Sequence, residues 1–271
     1  MLRNPKPRTE FRLVGDRLAL FHSADDHDRY WEEYWESFDY ESLSASVGIP
    51  ALGELASVFG QYLPRGELVL EAGCGAGRIM AALQAEGFKV LGVERSVNVV
   101  ASVNRNAAFL NVRQGDVEHL DLEGGTVGSY VSLGVIEHSV NGPDGALREA
   151  ARVLQPGGIA FVSVPFLNPL RARHLQHLSQ AGTHDLSFHQ FYFSREQLNQ
   201  HLERAGFVVR DHLPYAVAAF MTREHPVFSR FWGSVLCRER IKQIWRKWFT
   251  RAPGGFRWRY AHMLLAIAEK A

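Results

Sequence analysis

Short apolar runs and stretches of helical period alternate along most of the chain. Leu68–Leu70 is an unbroken apolar run that ends in Glu71 and a cluster of glycines, the pattern of a buried strand leading into a turn. Phe88–Val93 reads as a second strand ending at Glu94, Asn111–Gln114 as a third and Tyr130–Leu133 as a fourth. Ile159–Val164, Phe207–His212 and His262–Ala268 complete a set of seven. Helices are expected from about Arg78, from Ser96 as N-cap through Asn106, over Pro143–Leu154 and over Ser194–Ala205. Pro50–Leu63 reads as a further helix, with Pro50 tolerated in its first turn. Strand and helix in alternation predict an α/β fold.

Polar residues recur at the carboxyl ends of these strands, where open α/β sheets bind ligands. The first strand runs into Gly73-Cys74-Gly75-Ala76-Gly77. Glycine lets the backbone turn sharply and approach a ligand closely, and the following helix start presents free N–H groups. The spacing Gly-x-Gly-x-Gly departs from the Gly-x-Gly-x-x-Gly that cradles a dinucleotide pyrophosphate. A carboxylate at Glu94 suits a pair of ribose hydroxyls. Cys74 in this turn reads as a small buried residue rather than a nucleophile.

Taken together, Glu71–Gly77, Glu94, Gly115-Asp116-Val117, Gly134–His138 and Arg152–Gly158 resemble the ordered motifs of class I S-adenosylmethionine-dependent methyltransferases, over about residues 67–164. Phe193–Leu198 leading to Ala205-Gly206-Phe207 is similar to the penultimate helix and sixth strand of the small-molecule branch. The resemblance implies a Rossmann-like sheet of order 3-2-1-4-5-7-6, its seventh strand antiparallel, with helices on both faces and a helical cap. It implies S-adenosylmethionine as cofactor and S-adenosylhomocysteine as product. Gly73, Gly75 and Gly77 would lie against the methionine part and ribose, Glu71 near the amino group, Glu94 on the ribose hydroxyls, Asp116 on the adenine amino group and the Val117 backbone at the adenine ring, with Leu133 a further cofactor-binding residue. The runs Ser132–His138, Gly142-Pro143, Ala146–Ala150 and Val164–Arg171 further resemble methyltransferases encoded with bacterial surface-polysaccharide and natural-product pathways.

Transfer from a sulfonium methyl needs an aligned nucleophile, exclusion of water and, for a hydroxyl, removal of a proton. His138 follows the fourth strand, where the resemblance places the methyl, and is the leading base. Glu137 and His138 fixing their own loop through hydrogen bonds is an equal reading. His184 or His189 could serve instead of His138. Some quinone O-methyltransferases carry Glu-x-x-Glu-His here and bind a divalent metal; Gly134 stands where the first Glu would be, so no metal is expected.

Composition adds a charge asymmetry hidden in a net +1. Ala24–Ser42 holds eight acids against Arg29, on a segment whose Tyr30, Trp31, Tyr34, Trp35 and Phe38 recur at helical spacing. Arg223–Arg259 holds ten Lys/Arg against Glu224 and Glu239, among Phe228, Trp232, Val235, Leu236, Ile241, Ile244, Trp245, Trp248 and Phe249. Three readings of the basic segment stay open: an intramolecular cap, an interfacial helix on anionic lipid through 228–249, and, least favoured because the rest of the chain is net acidic, nucleic-acid binding. Two cysteines, Cys74 and Cys237, indicate no disulfide framework and a reducing cytoplasm. The basic N-terminus lacks the apolar core of a signal peptide, and no apolar run approaches the ~20 residues that cross a bilayer.

The expected organisation is an N-terminal segment with cap helices over 1–63 and a methyltransferase domain over 64–271, with insertions at about 165–192 and 213–260. The expected function is methyl transfer, most favourably to oxygen, on a small or lipid-linked acceptor. A quinone or lipid methyltransferase at the membrane surface and a non-catalytic cofactor-binding protein are the alternatives; a dehydrogenase is disfavoured by the glycine spacing.

Overall fold

The computed structural model describes residues 9–22, 38–41, 43, 48–175, 186–233 and 239–271. The strands are β1 (Thr9–Val14), β2 (Arg17–His22), β3 (Leu68–Ala72), β4 (Lys89–Glu94), β5 (Val112–Gln114), β6 (Val127–Leu133), β7 (Leu154–Pro165), β8 (Ser187–Tyr192), β9 (Phe207–Tyr215) and β10 (Met263–Lys270). The helices are α1 (Ala56–Tyr62), α2 (Arg78–Ala85), α3 (Val97–Asn106), α4 (Asp144–Val153), α5 (Pro169–Leu175), α6 (Arg195–Arg204), α7 (Val217–Arg223), α8 (Phe228–Trp232), α9 (Glu239–Thr250) and α10 (Gly254–Tyr260).

Seven strands form the main sheet in the order β5-β4-β3-β6-β7-β10-β9. Counted within that sheet the order is 3-2-1-4-5-7-6, and β10 runs antiparallel to both neighbours while β3, β4, β5, β6 and β7 are parallel. Alternate residues supply its two faces, as the pleat requires. Val69, Val131, Phe161, Leu265 and Ile267 pack with Phe59 of α1 and Ala82 and Leu83 of α2. Their neighbours Leu70, Tyr130, Val162, Leu264 and Ala266 pack on the other side with Leu147 and Ala150 of α4 and Leu198 and Leu202 of α6. Each such fully buried side chain contributes about 1.5–3 kcal/mol, so both faces hold the sheet.

The helix starts follow local chemistry. Ser96 accepts from the Val99 amide to cap α3. Ser194 and Gln197 form a reciprocal capping box on α6. The expected helix over Pro50–Leu63 is instead a 3-10 turn, Ile49–Leu55, kinked at Gly53, followed by α1.

Residues 9–22 form a β-hairpin rather than part of a helical cap. Gly15, at φ 63, supplies the left-handed residue of its two-residue turn. The hairpin is completed by β8 from the first insertion, which pairs antiparallel with β2 to give the sheet β1-β2-β8. An isolated two-stranded ribbon is marginal in water, so this third strand is what makes the hairpin stable. The ladder shifts register between Leu20, opposite Gln190, and Phe21, opposite Phe188, which leaves His189 as an extra residue in β8.

Most of the acidic aromatic segment, residues 24–37, lies outside the described residues, as do Cys237, Val235, Leu236 and Arg238. Phe38 and Tyr40 pack against the cluster of Cys74, Met80, Val99 and Val103. Among the described residues no helix is long and apolar enough to cross a membrane.

Candidate active site

The strand ends that build the site are level with one another. Ala72 stands opposite Val93, Glu94 opposite Gln114, and Leu133 opposite Ser163. The glycine turn is stitched to this edge: the amides of Gly73 and Cys74 both donate to the Val93 carbonyl, at 2.8 and 3.1 Å. Gly73, Gly75 and Gly77 have φ of 79, 50 and 79°, all in the left-handed region. At two of them space also demands glycine. A Cβ on Gly73 would lie 2.5 Å from a methyl of Val135, and one on Gly77 2.6 Å from Leu110. The first of these contacts matters for function, because it presses the turn after β3 against the turn that carries His138.

Glu94 ends β4 with its carboxylate folded over the glycine turn. Oε2 accepts from the Gly75 amide and Oε1 from the Ser96 amide, each at 3.0 Å. An ionised carboxylate has about four acceptor positions, so two remain for a vicinal diol. Glu71 is buried, and its Oε2 accepts from the Met80 amide in the first turn of α2 at 3.1 Å. Burial raises its carboxyl to about 8, opposed by the Met80 amide and reinforced by the nearby Glu94 charge. Glu71 therefore anchors the helix start beneath the turn. Asp116 is exposed at the end of β5 and accepts from the Glu118 amide at 2.9 Å, while Val117 beside it and Leu133 are half-buried. Cys74 is a buried thiol whose pKa is pushed well up by desolvation and by the Glu71 and Glu94 charges, which makes it a poor nucleophile.

His138 closes a short 3-10 turn, Ile136–His138, after β6. Its Nδ1 lies 2.7 Å from the carbonyl oxygen of His189. A carbonyl can only accept, so Nδ1 carries the proton, and in the neutral imidazole Nε2 is the basic nitrogen. The bulge in β8 is what makes this possible, since it turns the His189 backbone out of the ladder. The His189 ring in turn meets His22 of β2, Nδ1 to Nε2, at 2.9 Å. Desolvation by burial lowers the pKa of His22. Glu137 is 2% exposed; Oε1 lies 3.8 Å from His138 Nε2, and Oε2 has no hydrogen-bond partner among the described residues. Burial pushes its carboxyl up to about 8, so it is protonated at neutral pH.

Of the predicted residues, the glycine turn, Glu71 and Glu94 meet at one edge and Glu137, His138 and His189 at the adjoining one. His184 lies outside the described residues. The second group also includes residues that sequence reasoning passed over. Tyr215, at the end of β9, donates to Ser163 of β7 at 2.9 Å, and burial raises its pKa. Glu54 reaches from the N-terminal side to accept from the Ala216 amide at 3.0 Å. Ala216 has φ 58, a left-handed value unusual for a residue other than glycine.

Arg171 is the largest omission. It is buried, donates to both carboxylate oxygens of Glu224 at 2.8 and 2.5 Å, and also donates to the carbonyls of Phe166 and His262. These bonds, with His262, hold the Glu224 carboxyl at about 2 despite burial. Asn168 caps α5 through the amides of Leu170 and Arg171. The Val164–Arg171 run thus fastens the first insertion to α7 and to the start of β10. Among the described residues, no three or more His, Cys, Asp or Glu side chains cluster as metal ligands.

The mixed sheet with its antiparallel β10, the left-handed glycine turn and the carboxylate closing β4 define a class I S-adenosylmethionine-dependent methyltransferase domain. Residues 70–162 match the family described as methyltransferase domain, and the chain carries a domain of that family. A "probable S-adenosylmethionine-dependent methyltransferase" of Mycolicibacterium smegmatis is 32% identical over 151 residues, which are 55% of this chain and 54% of that protein. A ubiquinone biosynthesis O-methyltransferase of Sodalis glossinidius is 28% identical, over 45% of this chain and 53% of its own length. The chain thus spans about half the length of these two curated relatives. The solved geranyl diphosphate C-methyltransferase of Streptomyces coelicolor superposes with a TM-score of 0.58 at 14% identity, covering 92% of this chain and 99% of that one, a likeness of fold.

Proposed function

We propose that the protein methylates a hydroxyl oxygen of a small or lipid-linked acceptor, with His138 as the base. The observation that carries this reading is the hydrogen bond from His138 Nδ1 to the His189 carbonyl, which fixes the neutral tautomer with its basic nitrogen at Nε2. S-adenosylmethionine, when bound, supplies the activated methyl group. Gly73, Gly75 and Gly77, all at positive φ, form the turn against which its methionine part and ribose would lie. Glu94 would accept from the ribose hydroxyls, Asp116 from the adenine amino group, the Val117 backbone would lie at the adenine ring, and Leu133 would line the cofactor site from the end of β6.

The contact of Val135 with Gly73 brings the turn bearing His138 to the methionine end of that site. His138 Nε2 accepts the hydroxyl proton as the oxygen attacks, and the imidazolium formed is stabilised through Nδ1 by the His189 carbonyl. Glu137, protonated through burial, lies beneath the same turn with its Oε1 3.8 Å from His138 Nε2, and supports the histidine rather than the acceptor. The ubiquinone biosynthesis O-methyltransferases among the relatives support an oxygen acceptor on a lipid-like body. The buried free thiol of Cys74 is in keeping with a cytoplasmic location.

The test combines calorimetry with turnover. S-adenosylhomocysteine should bind in the micromolar range, and NADH should not. Wild type should methylate members of a panel of hydroxylated acceptors and His138→Ala should not. Tight S-adenosylhomocysteine binding with no transfer to any acceptor would overturn the transferase reading, while a fully active His138→Ala would remove His138 as base.

A further inference from the structure

We propose that the outer face of α9 is a docking surface for an anionic lipid bilayer, which brings the acceptor site to a membrane-resident substrate. This rests on the lipid-linked acceptor named above and deepens it. The basic segment forms two helices, α8 and α9, and the expectation that its aromatic stripe turns inward holds for only part of it. Phe249 is buried and Trp245 half-buried, stacked on one another at 5.6 Å and both in contact with Phe228 of α8. The apolar face continues round the same helix beside them and out to solvent, through Trp248, whose ring still meets Trp245, Phe249 and Phe256. Ile241, Ile244 and Trp248 are 36, 67 and 42% exposed, at helical spacings that put them in one stripe.

Cations border that stripe. At about 100° per residue, Arg240, Lys247 and Arg251 fall together along one of its flanks, and all three are exposed. None has a salt-bridge partner among the described residues. On the inner flank Lys242 and Arg246 lie over the ring of Trp232, at 5.8 and 5.5 Å, and serve packing instead.

An exposed aliphatic and Trp stripe with an arginine and lysine border matches the depth profile of an interfacial helix: apolar groups at the acyl boundary, cations at the phosphates. Nucleic acid would use the cations but gain nothing from Ile241 and Ile244, and two copies of the face would bring like charges together. The helix also stands in the right place. It packs on α7, which begins two residues after Tyr215, at the strand ends that hold Ser163 and Met263. A bilayer on this face would be linked through α7 to those strand ends.

The experiment measures cosedimentation of the full chain with vesicles of phosphatidylcholine alone or mixed with phosphatidylglycerol, at low and high salt. Wild type should pellet with the mixed vesicles at low salt and be released by salt. Because each cation near an anionic surface contributes about a fivefold factor, the triple variant Arg240→Gln/Lys247→Gln/Arg251→Gln should lose partition on the order of a hundredfold. Ile244→Asp should lose about tenfold or more. S-adenosylhomocysteine affinity and thermal midpoint, measured alongside, confirm that each variant is folded; if Ile244→Asp is not, the triple variant decides alone. Equal partition of wild type and triple variant, or no pelleting of wild type with either vesicle, overturns the proposal. So does a concentration-dependent dimer in lipid-free sedimentation velocity that Ile244→Asp abolishes, or RNA binding without vesicle binding. Transfer to a detergent-dispersed acceptor tests the methyltransferase reading separately, since none of these substitutions touches the active site.

Discussion

Replacing Gly73 by alanine tests whether the contact between the two catalytic turns is a true constraint. Two costs can be worked from the structure. At φ 79 an L-residue is in the left-handed region, which costs about 1–2 kcal/mol. The new Cβ would also sit 2.5 and 2.8 Å from the two methyls of Val135, and such overpacking costs about 1–3 kcal/mol more. The sum, ~2–5 kcal/mol, should appear as lower stability in urea and as weaker S-adenosylhomocysteine binding in calorimetry. Gly87 is the control: its φ is 83 but nothing lies within 4 Å of its Cβ position, so Gly87→Ala should show only the backbone part and leave ligand affinity intact. Val135→Ala in the Gly73→Ala background should recover the packing part, a coupling of about 1–3 kcal/mol in a double-mutant cycle. If Gly73→Ala costs no more than Gly87→Ala, and Val135→Ala rescues nothing, the two turns are not in the contact described and the placement of His138 at the methyl falls with it.

Further outcomes follow from the same geometry. Glu94→Ala should weaken S-adenosylhomocysteine by roughly 1–3 kcal/mol, the scale of hydrogen bonds to a charged group; unchanged affinity would take Glu94 out of the site. His138→Ala should lower turnover by about 10²- to 10⁴-fold with near-normal cofactor affinity, and wild-type activity should fall on the acid side as the imidazole charges; equal activity at acid and neutral pH would argue against His138 as base. Glu137, raised to about 8 by burial, holds a proton in the folded chain that the unfolded chain has released, so its effect on stability worsens as pH rises from the ordinary carboxyl range towards 8. Glu137→Gln should therefore gain stability over wild type across that window by on the order of a few kcal/mol, read by urea melts at pH 5 and 8, and parallel pH curves would refute the assignment. Glu224, held down to about 2, works in the opposite sense: its contribution is present above the ordinary carboxyl range and is lost as pH falls towards 2. Glu224→Ala, which strands the buried Arg171, should cost about 3–5 kcal/mol at neutral pH; a loss under 1 kcal/mol would show the pair to be dispensable.

Local chemistry explains why much of this was legible in advance. A Ser with Gln three residues on caps a helix through contacts within one turn, so Ser194 and Gln197 announce α6 without help from the rest of the chain. The glycine turn and Glu94 are equally readable, because positive φ and a strand-end carboxylate are properties of short segments. The strand order came from the resemblance and agrees with the structure.

What remained hidden depends on partners far apart in the chain. The pairing of β2 with β8 joins residues about 22 and 187, and nothing near Leu18 announces Tyr192 as its neighbour. The bulge that frees the His189 carbonyl for His138 exists only within that pairing. Arg171 could be read as another surface cation until α7 and β10 close around it with Glu224 and His262. The basic helix makes the same point, since its apolar residues were visible as one stripe, yet only packing against α8 decided that Phe249 would be buried and Ile244 exposed. Sequence by itself determined where the chain turns, caps and alternates, which are matters of neighbouring residues. Tertiary structure decided which histidine nitrogen carries the proton, which carboxyl keeps its proton and which helix face meets solvent, because hydrogen bonding and desolvation depend on everything that surrounds a group in space.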